Sequence, residues 1–248
     1  MTPELRFVDT PYGRMRSRAV GRARDGVPQV VLVQGMAVAN YLVPGLGALG
    51  AWTRAHLLEL PGFSGSGEPP HPLDVPEFAA AVAAWLGAAG LGPVVLAGHS
   101  SGTQVAARTA ARGAAGVRGV VLASPTIDPR LRGVVRVLRA WNRDNEWEPA
   151  DLDEQHEPER KRAGIRRVLH TLRVHLRDRL EDVVPRVGVP LLVLHGERDL
   201  LCREEWARAL AAAAPDGRFA SMPGPHSFPY THPEAWSEPI RRVAEELC

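Results

Sequence analysis

A chain of 248 residues, of which 45% are hydrophobic and 23% charged, is long enough to bury one large core. Its net charge of +2 gives no reason to expect a polyanionic partner. The basic residues are nearly all arginine, with Lys161 the only lysine, and they alternate with acidic residues. This pattern indicates a solvated, salt-bridged surface, so we expect no nucleic-acid partner.

Two widely spaced cysteines, Cys202 and Cys248, fit neither a disulfide framework nor a zinc site. The first ten residues lack the apolar segment of a signal peptide. The most apolar stretch, residues 79–97, is interrupted by three glycines and a proline, which indicates helix, turn and strand rather than a membrane span. We therefore expect a cytoplasmic protein without a membrane segment.

The first part of the chain predicts strands with few helices between them. Apolar or alternating runs predict strands over residues 5–7, 14–19, 30–33 and 56–60. Residues 45–50, G-L-G-A-L-G, match a dinucleotide-binding pattern. That pattern requires a strand directly before the glycines, and here the preceding strand ends about ten residues earlier. We interpret this segment as a short glycine-rich helix or loop.

Farther along, strands and helices alternate. Asp74 is placed to cap a helix over 75–87, and apolar runs predict strands over 94–96, 117–123, 189–195 and 217–222. Helices are expected after them, over 103–112, 203–214 and 233–247. This alternation predicts an α/β fold: a mostly parallel central sheet with helices on both faces.

Residues 130–186 differ in character from the rest of the chain. They are rich in charge, contain two tryptophans and show helical periodicity without any predicted strand. We therefore divide the chain into a core, 1–129 and 187–248, and a helical insertion, 130–186.

The most informative segment is V-V-L-A-G-H-S-S-G at residues 94–102. A strand, a sharp turn and a helix with a serine at the apex match the G-x-S-x-G nucleophile elbow. Gly98 and Gly102 flank Ser100, where a β-carbon would collide with neighbouring backbone. The alternative interpretation is a glycine-rich turn that only connects a strand to a helix.

A serine hydroxyl needs a base, and the base needs an orienting carboxylate. Asp199 and His226 each follow a predicted strand, and the order Ser100, Asp199, His226 is the order of an elbow enzyme. Asp128 is the reserve acid and His232 the reserve base. Ligands of such sheets bind at the carboxyl ends of the strands, where these loops converge.

An oxyanion needs preorganised donors. The backbone N–H of Ser101, directly after the nucleophile, is one candidate, and that of Met36, in the loop after the third strand, is the other. No H-E-x-x-H-type arrangement occurs among the nine histidines, so we expect no metal and no cofactor.

Nearly the whole chain resembles the α/β-hydrolase fold superfamily. The segments that carry the resemblance occur in order, and they are V-L-V-Q-G-M, L-E-L-P-G-F-S-G-S-G, the elbow, V-P-L-L-V-L-H-G-E-R-D and P-G-P-H-S-F-P-Y-T-H-P-E. The last two resemble the acid and histidine loops of the family, which supports Asp199 and His226. The insertion stands where the family carries a helical cap. Two positions depart from the usual pattern: Gln34 replaces a common histidine, and Glu59 a common aspartate.

The resemblance implies a serine hydrolase acting on an ester or thioester of a small or medium, apolar molecule. The alternative is a non-hydrolytic enzyme on the same scaffold, performing elimination, C–C bond hydrolysis or natural-product tailoring. A binding protein with a degenerate site is a third hypothesis.

The insertion is expected to select the substrate. Gln34, Trp141 and Trp147 are candidate substrate-binding residues, although packing between cap and core is an equal explanation for the tryptophans. Arginines at 166, 167 and 173 could meet a carrier-tethered acyl chain, but a solvated helix face is the simpler interpretation. We expect a monomer or homodimer.

Overall fold

Residues 2–247 are described by the structure, a computed structural model. Eight strands form one sheet: β1 (Glu4–Thr10), β2 (Gly13–Val20), β3 (Gln29–Val33), β4 (Ala55–Leu58), β5 (Val94–His99), β6 (Val117–Ala123), β7 (Leu191–Gly196) and β8 (Gly217–Met222). Their order across the sheet is β1-β2-β4-β3-β5-β6-β7-β8. The α/β class predicted from the alternation of elements is confirmed.

Strand direction divides the sheet into two parts. β1 and β2 form an antiparallel hairpin, and β2 pairs antiparallel with β4. All other neighbours are parallel. Every residue of β5 and β7 is buried, as expected of continuous apolar runs in a sheet that is covered on both faces.

Ten α-helices accompany the strands in residues 2–247. They are α1 (Val43–Gly50), α2 (Val75–Ala89), α3 (Gly102–Ala111), α4 (Val134–Asp144), α5 (Leu152–Ala163), α6 (Ile165–Arg177), α7 (Leu180–Val183), α8 (Glu204–Ala213), α9 (Phe228–Thr231) and α10 (Pro233–Glu246). Short 3₁₀ turns span Asn40–Leu42, Pro129–Leu131 and Val184–Arg186. None of these helices is long and apolar enough to cross a membrane.

The core has one layer on each face of the sheet. On one face, α2, α3 and α8 pack their apolar residues, and the largest is the fully buried Trp85. On the other face, α1 and α10 pack around Trp236, which is also fully buried. This arrangement leaves the loops at the carboxyl ends of the parallel strands along one edge.

Two local patterns have clear structural outcomes. The side chain of Asp74 accepts a hydrogen bond from the backbone N–H of Glu77, whose own side chain accepts from the N–H of Asp74 in return. This reciprocal capping box starts α2 at the predicted place. The glycines of residues 45–50 lie inside α1, so they do not form the strand-to-helix turn that binds dinucleotides.

Helices α4 to α7 all lie in the chain between β6 and β7. We call residues 130–186 the cap. Glu159 of α5 joins the cap to the core, because its carboxylate accepts hydrogen bonds from the backbone N–H groups of Ala39 (2.7 Å) and Asn40 (2.9 Å) and from the Ser64 hydroxyl (2.6 Å). One buried carboxylate therefore connects α5 to two separate core loops.

Cysteine chemistry is simple in the described part of the chain. Cys202 is buried and free, and burial raises the pKa of its thiol well above the ordinary value. Cys248 lies outside the described residues.

Candidate active site

Ser100 stands at the apex of a strained turn between β5 and α3. Its φ of +54° is in the left-handed region, which is costly for a residue with a side chain. A β-carbon on Gly98 would lie 2.3 Å from the carbonyl oxygen of Gly102, and one on Gly102 would lie 2.4 Å from that of Gln34. Only glycine fits at either position, which is the steric requirement that the sequence pattern indicated.

Asp199 and His226 meet at the ends of β7 and β8. The Nδ1 atom of His226 lies 2.9 Å from Oδ2 of Asp199, and both side chains are buried. The other oxygen of Asp199 accepts from the N–H groups of Leu201 and Cys202, each at 2.8 Å. Burial favours the neutral acid, but the charge and hydrogen bond of His226 outweigh it and lower the pKa of Asp199.

Three carboxyl groups lie near the imidazole of His226. Burial lowers its pKa, but the carboxylates of Asp199, Asp144 and Glu148 outweigh burial and raise it to about 9. Burial, together with the charges of Asp199 and Glu148, raises the pKa of Asp144 to about 7. Asp144 ends α4 and accepts from the backbone N–H of Leu200 at 2.8 Å, so the cap supplies a carboxyl group beside the loop that carries Asp199.

The reserve acid, Asp128, and the reserve base, His232, both contact other residues. Asp128 accepts from Nε (2.8 Å) and Nη2 (2.6 Å) of Arg203 and from the N–H of Arg130. The Nδ1 atom of His232 lies 2.8 Å from the hydroxyl of Thr231. The structure therefore brings Asp199 and His226 together, and it pairs neither with Asp128 or His232.

The loop after β3 lies directly against the serine. A β-carbon on Gly35 would be 3.7 Å from that of Ser100, which places the backbone before Met36 beside the proposed nucleophile. Ser101 is buried at the start of α3. Gln34 is also buried, and its amide oxygen accepts from the N–H of Leu60 at 3.1 Å. The Gln34 side chain thus connects the loop after β3 to the loop after β4.

An apolar cluster from cap and core contains Met36 of this loop. Its buried members are Val137, Ala140, Leu172 and Leu201, and its half-buried members are Met36, Leu131, Trp141 and Leu176. Helices α4 and α6 therefore present an apolar surface to the loop beside Ser100. We call this set of residues the apolar cluster.

The two candidate tryptophans have different surroundings. Trp141 belongs to the apolar cluster. Trp147 is 50% exposed, and the guanidinium of Arg198 lies 5.1 Å from the centre of its ring. The structure brings only Trp141 into contact with the surface that adjoins the serine.

The three cap arginines also differ. Arg167 donates to the carbonyl oxygen of Gly62 at 2.6 Å and pairs with Glu68. Arg166 and Arg173 are exposed. Within residues 2–247, no group of three or more histidine, cysteine or acidic side chains is arranged to hold a metal ion.

A sequence profile described as the alpha/beta hydrolase family matches residues 30–238. The chain belongs to the alpha/beta hydrolase family. No curated protein sequence matches this member of the family.

Solved alpha/beta hydrolase structures resemble this family member over almost their whole length. A serine hydrolase involved in carbazole degradation has a TM-score of 0.82 at 16% identity, covering 98% of this chain and 99% of the other. A thermophilic esterase from Thermogutta terrifontis has a TM-score of 0.76 at 20% identity, covering 98% and 99%. A bromoperoxidase from Bacillus anthracis has a TM-score of 0.78 at 17% identity, covering 98% and 100%. At these identities the likeness establishes the fold alone.

This alpha/beta hydrolase has supporting residues that sequence reasoning missed. His99, inside the elbow motif, has its Nε2 atom 2.8 Å from the carbonyl oxygen of His226, and its Nδ1 lies 2.6 Å from the hydroxyl of Tyr41. Glu148 of the cap accepts from the N–H of Ser227 at 2.9 Å. His99 had a signal, since it stands beside Ser100, but Tyr41 and Glu148 have none in the sequence.

Proposed function

We propose that this protein is a serine hydrolase that cleaves an ester or thioester bond in a small or medium, apolar molecule. The observation that carries the proposal is the strained Ser100 between β5 and α3, with φ of +54° and no room for side chains at Gly98 and Gly102. Such strain persists only where the surrounding structure enforces it, and in a strand-turn-helix between two glycines it exposes a serine hydroxyl above the end of the sheet.

In this mechanism Ser100 attacks the carbonyl carbon and His226 takes the hydroxyl proton. Asp199 holds the proton of His226 on Nδ1, which leaves Nε2 free to act as the base. The backbone N–H groups of Met36 and Ser101 stabilise the oxyanion, and each such donor contributes about 3 kcal/mol. His226 then protonates the leaving group, and water hydrolyses the acyl-enzyme.

The apolar cluster supports an apolar acyl or alcohol group in the substrate. Trp141, Leu172 and Leu176 of the cap belong to the same cluster as Met36, whose backbone N–H is a proposed oxyanion donor. A substrate that buries an apolar group against these side chains gains about 25 cal/mol per Å². A carrier-tethered acyl chain is one form that this substrate could take.

The test is intact mass after treatment with a fluorophosphonate, with Ser100→Ala as the matched variant. One adduct on the wild type and none on Ser100→Ala is the expected result, followed by turnover in a panel of esters and thioesters. No adduct on a folded wild type, together with no ester or thioester turnover, would refute the proposal.

One observation favours a second candidate, a non-hydrolytic enzyme that uses the same residues. That observation is the group of carboxylates around His226: against the effect of burial, Asp199, Asp144 and Glu148 raise the pKa of the imidazole, and burial raises the pKa of Asp144. These groups could supply protons for elimination or tailoring chemistry without an acyl-enzyme. Turnover of a true substrate with no trapped acyl-enzyme would support this candidate over hydrolysis.

A further inference from the structure

The cap contacts the loop that carries the proposed base. We call residues 223–227, between β8 and α9, the histidine loop. Glu148, in the connection between α4 and α5, accepts at Oε1 from the backbone N–H of Ser227 at 2.9 Å and at Oε2 from the hydroxyl of the same residue. Ser227 is buried and directly follows His226. A cap carboxylate therefore binds the chain one residue away from the proposed base.

The peptide group that joins His226 to Ser227 is hydrogen-bonded at both ends. Its carbonyl oxygen lies 2.8 Å from Nε2 of His99 and 3.3 Å from the hydroxyl of Ser124, and both of these residues belong to the core. Its N–H donates to Glu148. A peptide group is planar and includes the α-carbon of the preceding residue, so bonds at both ends fix the α-carbon from which the imidazole of His226 projects. Core and cap thus each hold one end of this peptide.

The surroundings of the Glu148 contact strengthen it. A carboxylate that accepts from a backbone N–H forms a charge-assisted bond, which is stronger than a neutral one and stronger again where water is excluded. Ser227 is only 3% exposed. The same connection of the cap makes a second bond, from the hydroxyl of Tyr230 to Asp151, but that bond is exposed to solvent. We therefore expect Glu148, and not Asp151, to restrain the histidine loop.

Glu148 also acts on His226 through its charge. The titratable groups that interact with this imidazole come from core and cap, and they are His99 of β5, Asp199 after β7, Asp144 of α4, Glu148, and His156 of α5. Burial lowers the pKa of His99 to about 3 and that of His156 to about 4, so both of these rings are neutral. The charges near His226 are therefore those of carboxylates, and an experiment on Glu148 has to separate its charge from its hydrogen bond.

We propose that Glu148 is a positioning residue for the hydrolysis, an inference that rests on the proposed function. By binding the N–H end of the peptide after His226, it holds the imidazole where it can act on Ser100. The cap thus helps to place the base as well as to select the substrate. Loss of this bond should slow the reaction even for a small reagent that makes no contact with the apolar cluster.

Three substitutions at this position separate the hydrogen bond from the charge. Glu148→Ala removes both. Glu148→Gln keeps the length of the side chain and an acceptor oxygen but has no charge, whereas Glu148→Asp keeps the charge on a side chain that is one methylene shorter. Asp151→Ala is the control, because it removes a carboxylate of the same connection that bonds to Tyr230 and not to the peptide.

The first measurement is the rate of labelling by a small fluorophosphonate between about pH 6 and 10, fitted to give the rate on the alkaline plateau, where His226 is neutral. Glu148→Ala and Glu148→Asp should lower this plateau about tenfold. The effect is smaller than the roughly hundredfold loss that a 1 Å displacement can cause, because His99 still holds the carbonyl end. Glu148→Gln should recover the rate to within about threefold of the wild type, and Asp151→Ala should leave it unchanged.

The second measurement is amide hydrogen exchange in peptides that contain Ser227, followed by mass spectrometry, and it requires no activity. Exchange should be faster in Glu148→Ala and Glu148→Asp, and similar to the wild type in Glu148→Gln and Asp151→Ala. A wild type that does not react with the fluorophosphonate would refute the hydrolase proposal. Exchange at Ser227 would still show whether Glu148 holds the histidine loop, so the two failures can be told apart.

Three outcomes would overturn the inference. They are a wild-type plateau rate in both Glu148→Ala and Glu148→Asp, a rate in Glu148→Gln as low as that in Glu148→Asp, and unchanged exchange at Ser227 in all three variants. Melting temperatures show whether each variant is folded. If Glu148→Ala does not fold, the comparison of Glu148→Gln with Glu148→Asp decides, since it opposes the bond to the charge.

Discussion

The imidazole of His99 holds the main chain of His226. Its Nε2 atom lies 2.8 Å from the carbonyl oxygen of His226, so the ring proton is on Nε2 and Nδ1 accepts from the hydroxyl of Tyr41 at 2.6 Å. Burial lowers the pKa of His99 to about 3, so this ring stays neutral and keeps one tautomer. The residue before the proposed nucleophile thus positions the proposed base.

We expect His99→Leu to slow the reaction of Ser100 with a fluorophosphonate by about tenfold to a hundredfold, because small displacements of reacting groups have effects of this size. The carbonyl of His226 would keep only the hydroxyl of Ser124, at 3.3 Å. The labelling rate is measured by intact mass against time. His195→Leu is the control, since His195 is also buried at a strand end but makes no hydrogen bond to His226. Equal rates for the two variants would contradict a positioning role for His99.

The pH profile of the reaction should depend on Asp144. The proposed base acts only when neutral, so kcat/KM should rise with pH as His226, with a pKa of about 9, loses its proton. Asp144→Asn keeps the acceptor for the N–H of Leu200 but removes a negative charge that favours the imidazolium. The acid limb should then move to lower pH by about one unit.

Kinetics of ester hydrolysis between about pH 6 and 10 measure this shift, since that range brackets the limb. Asp128→Asn is the control, because that carboxylate pairs with Arg203 and is not among the charges that raise the pKa of His226. An unmoved limb in Asp144→Asn would show that the cap carboxyl does not act on His226.

The glycines of the elbow should not tolerate even one methyl group. Gly98→Ala would place a β-carbon 2.3 Å from a backbone oxygen, so we expect a loss of about 1–3 kcal/mol in the free energy of unfolding. Gly87→Ala is the matched control: a methyl group on this glycine of α2 would meet no atom within 4 Å, and alanine favours a helix by about 1 kcal/mol. Thermal unfolding of the two variants should therefore shift in opposite directions.

Glu159 should contribute more to stability than other acidic residues of the cap. Glu159→Ala leaves the N–H groups of Ala39 and Asn40 without their acceptor, and we expect a loss of about 3 kcal/mol in urea unfolding. Glu157→Ala, on the same helix, removes only an exposed pair with Lys161 and should cost less than about 0.5 kcal/mol. Similar losses in the two variants would refute the role of Glu159 as the tie between cap and core.

Substitution of the two cap tryptophans should have different effects on kcat/KM for a panel of substrates. Trp141→Ala removes a side chain of the apolar cluster, so kcat/KM for short acyl esters should fall about tenfold, the effect of losing roughly 1.4 kcal/mol of apolar contact. Trp147→Ala removes a half-exposed ring against Arg198 and should leave kcat/KM unchanged. A loss in Trp147→Ala alone would place the substrate elsewhere on the cap.

Much of this architecture follows from local sequence. Continuous apolar runs such as 94–96 are typical of a sheet covered on both faces, and the glycines at 98 and 102 allow a turn in which neighbouring backbone segments touch. Asp74 and Glu77 define the start of α2 because a capping box is formed within four residues. In each case the partners are neighbours in the chain, so the pattern contains the interaction.

Other features depended on contacts between distant segments, and only the tertiary structure decided them. Asp199 and Asp128 both follow strands. The packing of the loops places Asp199 within hydrogen-bond distance of His226, whereas Asp128 forms an ion pair with Arg203. The helical periodicity of the cap predicted that helices form, but it did not predict which side of each helix is buried. In α4, for example, Val135 is 61% exposed, whereas Val137 is buried. Likewise, Thr171 is an ordinary helical threonine in the sequence. Only the packing of α6 buries its hydroxyl without a hydrogen-bond partner among residues 2–247. Local chemistry specifies which elements form, but the environment of a side chain depends on partners that are far away in the sequence.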